Sequence, residues 1–212
     1  MTLDRYRYLV VEGPIGAGKT ALARKLADHL NANAMLERPD DVPFLPKFYV
    51  DMPRYALATQ LSFLFQRVHQ ISDLAQIDLF HGQTVADFLF DKDPLFAELT
   101  LSDDEFKLYS DIFHHLKLQT PKPDLVIYLQ ADVEILLQRI RARGHEYELK
   151  IPDGYLRKLV ERYSRFFYDF NDAPLLIVNA NNLDFVDESE DFAILLRRIE
   201  AMKSGREYFN KS

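Results

Sequence analysis

Five short apolar runs recur along the chain, separated by longer stretches in which apolar residues follow helical spacing. A short apolar run bounded by turn-forming residues is typical of a buried strand. The pattern predicts strands at residues 7–12, 32–37, 84–88, 124–129 and 175–178. The run from Asp124 to Leu129 is apolar on consecutive positions after its first residue, which is typical of a parallel sheet covered on both faces.

Six further segments repeat apolar residues at the three- or four-residue spacing of a helix. They lie at residues 20–30, 54–79, 102–119, 133–143, 154–170 and 188–202. Ser102 and Glu105 form a capping box at the start of the third segment, and Asp132 is placed to cap the fourth. Four prolines between residues 38 and 53 predict a loop or a broken helix there.

Strands that alternate with helices predict an α/β fold with right-handed crossovers. We expect one domain over residues 1–212, with a five-stranded parallel sheet and helices on both faces. Residues 144–152 are polar and irregular and are expected to form a small lid, and residues 203–212 a frayed tail. In such a sheet the ligand binds at the carboxyl ends of the strands.

The composition is that of a globular chain without thiol chemistry. Apolar residues make up 48% and Cys is absent, which excludes disulfides, thiolate metal sites and a Cys nucleophile. The sequence has no run of about 18 apolar residues, and residues 1–7 do not resemble a signal peptide, so we expect a cytoplasmic protein without a membrane span. The net charge of −7, from 26 basic and 33 acidic residues, argues against a nucleic acid partner.

Residues 13–20 carry the pattern G-x-x-x-x-G-K-[ST] between the first predicted strand and the first predicted helix. Glycines let the backbone approach phosphate oxygens, and the N-terminus of the helix adds its positive dipole. Lys19 is expected to contact the outer phosphates and Thr20 to bind Mg²⁺. The predicted phosphate-binding residues are Gly13, Pro14, Ile15, Gly16, Ala17, Gly18, Lys19 and Thr20.

Other motifs favour a small-molecule kinase among phosphate-loop proteins. The sequence lacks the Asn-Lys-x-Asp and Asp-x-x-Gly motifs typical of GTPases. Arg139 and Arg143 lie four residues apart, so they share one face of a helix that leads into the predicted lid. Phosphoryl transfer needs positive charge over the moving phosphate and exclusion of water. A pair of surface arginines without a catalytic role is the alternative.

Fragments in a fixed order resemble the deoxynucleoside kinase family over nearly the whole chain. They are residues 11–20, Glu37 with Pro39, Phe48-Tyr49, residues 54–67, residues 95–97, and the segment from Arg139 to Pro152. The segment Asp87-Phe-Leu-Phe-Asp-Lys-Asp93 is similar to a bacterial branch often described as deoxyadenosine kinases. The resemblance implies a P-loop kinase fold, ATP as co-substrate, Mg²⁺ as cofactor and a homodimer.

The resemblance also implies roles for individual residues. Glu37 would be the general base for the sugar 5′-hydroxyl. Arg139 and Arg143 would join Lys19 in stabilising the phosphates during transfer. Gln60 would read the base and Phe96 stack on it, while Tyr49 and Glu148 would hold the 3′-hydroxyl. The implied substrate-binding residues are Tyr49, Gln60, Arg67, Asp87, Phe96 and Glu148.

Taken one at a time, these residues have simpler interpretations. Glu37 alone would be read as a loop carboxylate, and Gln60 as a satisfied polar group in a helix. Tyr49 and Phe96 alone would be read as core aromatics. Arg67 follows Gln60 by seven residues, which places both on one helix face and independently supports a shared pocket.

Three positions depart from the family pattern. Asp87 falls where relatives usually have Arg, so we expect it to contact Mg²⁺ or a hydroxyl; capping of the following segment is the alternative. Lys92 stands where many relatives have an Asp that reads the base, so their base preference does not carry over. His145 replaces a common Arg and supplies less positive charge near neutral pH.

We therefore expect ATP-dependent phosphorylation of a deoxynucleoside 5′-hydroxyl in nucleotide salvage, with a purine, and deoxyadenosine in particular, favoured. A thymidylate-type nucleoside monophosphate kinase is one alternative. A nucleotide-binding regulatory protein with weak or lost transfer activity is another, and Asp87 and His145 are its support. The segments 54–79 and 102–119 carry more apolar surface than one sheet face needs, and the resemblance implies a homodimer through such helices.

Overall fold

A parallel six-stranded sheet forms the centre of the fold. The structure is a computed structural model and describes residues 3–77, 82–117, 121–185, 188–203 and 205–211. The strands are β1 (Tyr8–Glu12), β2 (Asn33–Met35), β3 (Thr84–Ala86), β4 (Leu125–Gln130), β5 (Leu175–Asn179) and β6 (Arg206–Phe209). Their order is β2-β3-β1-β4-β5-β6, and each neighbouring pair is parallel. The carboxyl end of β1 therefore lies between those of β3 and β4.

Helices surround the sheet and supply the walls of the site at its carboxyl edge. They are α1 (Lys19–Leu30), α2 (Leu45–Phe48), α3 (Met52–Ile77), α4 (Asp93–Thr100), α5 (Asp103–Lys117), α6 (Val133–Arg143), α7 (Asp153–Asp169) and α8 (Ser189–Ala201). Short 3₁₀ turns lie at Leu3–Arg5, Pro39–Asp41, Phe90–Lys92 and Glu148–Lys150. Among the described helices, none is long and apolar enough to cross a membrane.

The core lies on both sides of the central strands. All five residues of β1 and the first five of β4 are buried, as their consecutive apolar residues predicted. α1 packs on β1 and β3, and α4 packs on α7. The predicted α/β fold with a parallel sheet is confirmed, and the phosphate loop lies at the carboxyl edge of its central strand.

The number of strands was predicted wrongly, because residues 206–209 form β6 instead of a frayed tail. This segment consists of two charged residues followed by two aromatic ones and is at most partly buried, so it lacks the apolar run by which the other strands were found. Two backbone carbonyls hold its first residue: the Arg206 guanidinium donates to Tyr168 O at 2.8 Å and to Phe170 O at 2.7 Å.

Of the two predicted helix caps, only half of the capping box at Ser102 forms, because the Ser102 hydroxyl bonds the Glu105 side chain and not its backbone N–H. Glu105 Oε2 accepts hydrogen bonds from the Ser102 backbone N–H at 3.0 Å and the Ser102 hydroxyl at 2.8 Å. Asp132 precedes α6, but its side chain makes no capping hydrogen bond and instead accepts from Asn181 Nδ2 at 2.9 Å. The carboxylate thus ties the start of α6 to the loop after β5.

Several element boundaries differ from the predicted ones. β3 ends at Ala86 and β2 at Met35, while α3 begins at Met52 after the short helix α2. α4 was not predicted, because a proline follows its first residue and its eight residues carry only a brief apolar pattern. The predicted helix ends at residues 78–79 and 118–119 lie outside the described residues.

Candidate active site

The phosphate loop joins β1 to α1. Gly13 lies so close to β4 that an added Cβ would be 2.6 Å from the Leu129 carbonyl oxygen, so a larger residue would displace the loop. Lys19 Nζ donates to the carbonyls of Gly13 at 2.8 Å and Pro14 at 3.3 Å. Burial lowers the pKa of Lys19, and the charge of Glu12 opposes that effect. The loop therefore holds an ammonium group at the N-terminus of α1, where anions bind.

Glu37 lies two residues after β2 and is held by Arg67. Arg67 Nε donates to Glu37 Oε1 at 2.8 Å, and Nη2 donates to the same oxygen. Burial raises the pKa of Glu37, but the charges of Arg67, Lys92 and Lys19 outweigh burial and bring the pKa down to about 2. Glu37 is therefore ionised at neutral pH, and among the described residues its bonds to Arg67 engage only Oε1.

Arg67 joins Glu37 to a second carboxylate beneath the pocket. Its side chain is 4% exposed, and Nη1 donates to Asp93 Oδ1. Asp93 also accepts a hydrogen bond from the Tyr109 hydroxyl at 2.8 Å. Arg67 lines the same pocket as Gln60, as their spacing predicted, but its guanidinium is engaged by carboxylates. The observed contacts make Arg67 a support for Glu37 more than a reader of the base.

Asp87 follows β3 and faces the phosphate loop. Its Oδ2 accepts a hydrogen bond from the Thr20 hydroxyl at 2.5 Å, and its Oδ1 accepts from the Glu37 backbone N–H at 2.7 Å. Burial and the nearby charge of Glu37 raise the pKa of Asp87 to about 6, while the hydrogen bonds work in the opposite direction. One carboxylate thus connects the ends of β2 and β3 to the first turn of α1.

Glu12 and Lys92 form a buried charged pair below Glu37. Glu12 accepts hydrogen bonds from the backbone N–H groups of Gly13 at 2.8 Å and Leu89 at 2.7 Å, and from the Tyr163 hydroxyl at 2.9 Å. Lys92 Nζ lies 3.8 Å from Glu12 Oε2. Its distance to Glu37 Oε1 is 3.7 Å, which is also beyond hydrogen-bond length.

A pocket of about 840 Å³, counted to its open mouth, lies between α2, α3, α4 and residues 144–152, the predicted lid. Its lining residues include most of the predicted substrate-binding set together with the end of the phosphate loop: Lys19, Thr20, Glu37, Tyr49, Gln60, Arg67, Phe96 and Glu148. Gln60 Nε2 makes a long 3.4 Å hydrogen bond to the Thr100 hydroxyl. Lys92 Nζ lies 4.7 Å from the centre of the Phe96 ring. The pocket thus combines aromatic walls with one end that carries charge.

Arg139 and Arg143, both on α6, are engaged by different partners. Arg143 donates to Glu148 in a bidentate pair, from Nε at 2.9 Å and from Nη2 at 2.6 Å. Arg139 Nη2 donates to the carbonyls of Ala180 at 2.7 Å and Leu183 at 2.9 Å. Both arginines line a larger groove that continues from the phosphate loop past the loop after β5. The phosphate loop therefore lies between two openings, the aromatic pocket and this groove.

The family model for deoxynucleoside kinases matches residues 9–203. The chain belongs to the deoxynucleoside kinase family. Two relatives show how far the similarity extends. The deoxyguanosine kinase of Bacillus subtilis (strain 168) is 34% identical over 200 residues, which cover 92% of this chain and 97% of the relative. The deoxyadenosine kinase of Lactobacillus acidophilus (strain ATCC 700396 / NCK56 / N2 / NCFM) is 33% identical over 206 residues, which cover 91% and 94%.

Solved structures support the same fold for this deoxynucleoside kinase. The structure of deoxyadenosine kinase from M. mycoides with bound dATP has a TM-score of 0.80 and 21% sequence identity, and the match covers 92% of this chain and 100% of that one. At this identity the likeness concerns the fold alone. It agrees with the parallel sheet and surrounding helices described above.

Some residues of the site were not singled out from the sequence. Thr59 lines the pocket beside Gln60, and its hydroxyl is buried with no hydrogen-bond partner among the described residues. A Thr within an apolar helix gives no local signal of such a role. Glu12 precedes the phosphate loop, and only the fold shows that it joins β1, the segment after β3 and α7 through hydrogen bonds. His145, noted as a departure from the pattern, stacks on Tyr147 within the predicted lid segment.

Proposed function

We propose that this kinase transfers the γ-phosphoryl group of ATP to the 5′-hydroxyl of a deoxynucleoside. The observation that carries the proposal is the position of Glu37. Its ionised carboxylate lines the aromatic pocket together with Lys19 and Thr20 of the phosphate loop. A hydroxyl bound to Glu37 and a phosphate bound to Lys19 would meet at this end of the pocket.

The reaction involves the 5′-hydroxyl, the γ-phosphoryl group and one proton acceptor. The 5′-oxygen forms a bond to the γ-phosphorus, the bond from that phosphorus to the β–γ bridging oxygen breaks, and ADP leaves with the electron pair. Glu37 accepts the proton of the 5′-hydroxyl. A pKa of about 2 makes Glu37 a weak base. Such a base is sufficient if the proton moves late, as in a loose transition state with little bonding to the nucleophile.

Thr20 and Asp87 are the residues that would hold Mg²⁺. A carboxylate beside a hydroxyl fits the preference of Mg²⁺ for a few protein oxygens completed by water and substrate phosphates. Among the described residues no group of three or more His, Asp or Glu side chains could hold a metal alone, which suits an ion that arrives with the nucleotide. When bound, the ion would neutralise charge on the β- and γ-phosphates.

The remaining predicted residues divide between the two openings. Gln60, with the Thr59 hydroxyl beside it, would hydrogen-bond the base, and Phe96 would stack against it. Tyr49 and Glu148 would hold the sugar 3′-hydroxyl. Arg139 and Arg143 would face the phosphates of ATP in the larger groove. This assignment is supported by the pocket linings and by the family pattern at these positions.

The proposed acceptor is a purine deoxynucleoside. The support comes from relatives: the similar bacterial proteins include deoxyguanosine kinases, a deoxyadenosine kinase and a deoxyadenosine/deoxycytidine kinase. The preference for deoxyadenosine stays a prediction. Family membership does not favour the thymidylate-type alternative.

We further propose a cytoplasmic homodimer of single-domain chains that associates through α3 and α5. These helices pack on one another, and each exposes a large apolar side chain, Phe65 at 44% and Leu108 at 52%. Exposed apolar surface on neighbouring helices is typical of protein–protein contacts. Light scattering at micromolar concentration tests this proposal, and a monomer would contradict it.

The proposed activity is tested by incubating the purified protein with Mg-ATP and each of the four deoxynucleosides, and separating the products by chromatography. We expect a 5′-monophosphate from at least one purine deoxynucleoside, and none from the Lys19→Ala variant. Thymidine 5′-monophosphate as acceptor tests the thymidylate-type alternative. ATP binding without any product would select the regulatory alternative and reject the proposal.

A further inference from the structure

Lys92 brings a buried ammonium group to the end of the pocket where the reaction is proposed to occur. It ends the 3₁₀ turn that follows β3, and its residue is only 1% exposed. It lines the pocket together with Lys19, Thr20 and Glu37. Lys92 therefore faces the same space as the proposed general base and the phosphate loop.

Among the residues that the structure describes, none accepts a hydrogen bond from Lys92 Nζ. The carboxylate oxygens of Glu12 and Glu37 lie 3.8 Å and 3.7 Å from Nζ, and both distances exceed hydrogen-bond length. The Phe96 ring, 4.7 Å away, stabilises the positive charge but accepts no conventional hydrogen bond. A buried ammonium group is costly unless its donors are satisfied, so a further acceptor is expected at this position.

Glu12 balances the charge of Lys92 but lies beyond hydrogen-bond length from it. Three neutral donors, the Gly13 and Leu89 backbone N–H groups and the Tyr163 hydroxyl, already hold its carboxylate. Arg67 likewise already holds Glu37. Both carboxylates thus lie within ion-pair distance of Lys92, while the hydrogen bonds that hold them come from other donors.

The other cations of the site do not fill this position. Arg67 is engaged by Glu37 and Asp93. Lys19 approaches from the phosphate loop, where its ammonium group donates to loop carbonyls. Position 87, directly after β3, carries a carboxylate instead of a cation. Among the described residues that line the pocket near Glu37, Lys92 is the cation whose ammonium group donates no hydrogen bond to the protein.

We propose that Lys92 is a catalytic residue that donates hydrogen bonds to the sugar 5′-oxygen and to the phosphoryl group as it is transferred. This role rests on the proposed kinase activity. Glu37 takes the proton of the 5′-hydroxyl, and Lys92 keeps its own protons throughout. As the bond to phosphorus forms, negative charge on the transferred oxygens lies between Lys19 on the donor side and Lys92 on the acceptor side. Preorganised donors of this kind stabilise the transition state more than the ground state.

The test compares two ligands that differ only in the phosphoryl group. Isothermal titration calorimetry would measure the affinity of wild type and Lys92→Met for the preferred deoxynucleoside and for its 5′-monophosphate. We expect the nucleoside affinity to stay within about threefold and the monophosphate affinity to fall about 10- to 100-fold, as for loss of a charged hydrogen bond. In steady-state assays kcat should fall at least about 100-fold, with little change in KM for the nucleoside.

Three controls separate this role from a structural one. Lys158→Met, on the exposed face of α7, should leave both affinities and kcat unchanged. Lys92→Arg should recover part of kcat and of the monophosphate affinity, because it restores the charge and the donors. Should Lys92→Met fail to fold by circular dichroism, Lys92→Gln serves the same comparison. An equal loss of affinity for both ligands, or no loss of affinity for either, would overturn the proposal.

Failure of this inference is distinct from failure of the proposed function. A wild-type protein that phosphorylates no deoxynucleoside rejects the kinase activity itself. If the wild type is active and the Lys92→Met variant has a similar kcat and monophosphate affinity, only the role of Lys92 is rejected.

Discussion

The Thr20 hydroxyl donates a 2.5 Å hydrogen bond to Asp87, which joins the first turn of α1 to the end of β3. The same carboxylate accepts the backbone N–H of Glu37. Asp87 therefore connects the phosphate loop, the proposed metal site and the loop that carries the proposed general base. A substitution of Asp87 that keeps its hydrogen bond to the Glu37 backbone but removes its charge therefore tests metal binding alone.

We expect Asp87→Asn to lower kcat/KM at least about 100-fold, because the amide lacks the charge that would hold a metal ion. The amide oxygen still accepts a hydrogen bond, so the fold should be retained. Activity measured against free Mg²⁺ concentration should show a higher requirement in the variant. Asp172→Asn, in an exposed loop, is the matched control. An unchanged Mg²⁺ requirement would remove Asp87 from the metal site.

Glu37→Gln should keep the fold but lower kcat by about 10²- to 10⁴-fold, the usual contribution of a positioned proton acceptor. The amide oxygen still accepts from Arg67, whereas it accepts no proton at neutral pH. Single-turnover assays with saturating Mg-ATP would measure the chemical step directly. Glu161→Gln, on the exposed face of α7, should behave as wild type. Near-normal turnover in Glu37→Gln would mean that another group accepts the proton.

Arg67→Met should reduce the free energy of unfolding by about 3–5 kcal/mol, because it leaves the buried carboxylates of Glu37 and Asp93 without their partner. Urea denaturation of the purified variants measures this change. The double variant Arg67→Met/Asp93→Asn should recover part of the loss, since one unpaired charge is then removed. A loss below about 1 kcal/mol would show that the interior tolerates these charges without Arg67.

Arg139→Ala should raise KM for ATP about tenfold while leaving KM for the nucleoside unchanged, because it removes charged hydrogen bonds that hold the loop after β5 against the larger groove. Arg141→Ala, on the exposed side of the same helix, is the control. An equal effect on kcat at saturating ATP would instead indicate contact with the transferred phosphoryl group.

The fold was largely predictable because its signals are local. The phosphate loop is one octapeptide between an apolar run and a helical pattern, and both flanking elements formed as predicted. β6 escaped prediction because its stability comes from pairing with β5 and from the Arg206 contacts to α7 and its end, none of which its own four residues reveal.

The candidate site was predictable as a set of residues but not as a set of contacts. The spacing of Gln60 and Arg67 placed both in one pocket. It did not show that Asp93 engages Arg67, because that partner lies on another helix. Lys92 is a charged residue that composition alone would assign to the surface, and only the fold shows that it is buried against Glu12 and Glu37.

The close contact between Gly13 and the Leu129 carbonyl has a consequence for how the chain acquires its binding loop. β1 is synthesised first, yet both of its partners, β3 and β4, come much later in the sequence. Pairing between strands so distant is slow, and a growing chain presents its amino-terminal segments before their partners exist. The loop between β1 and α1 thus takes its folded position only when β4 has paired with β1, so the shape of the proposed phosphate site depends on a strand that is synthesised long after it.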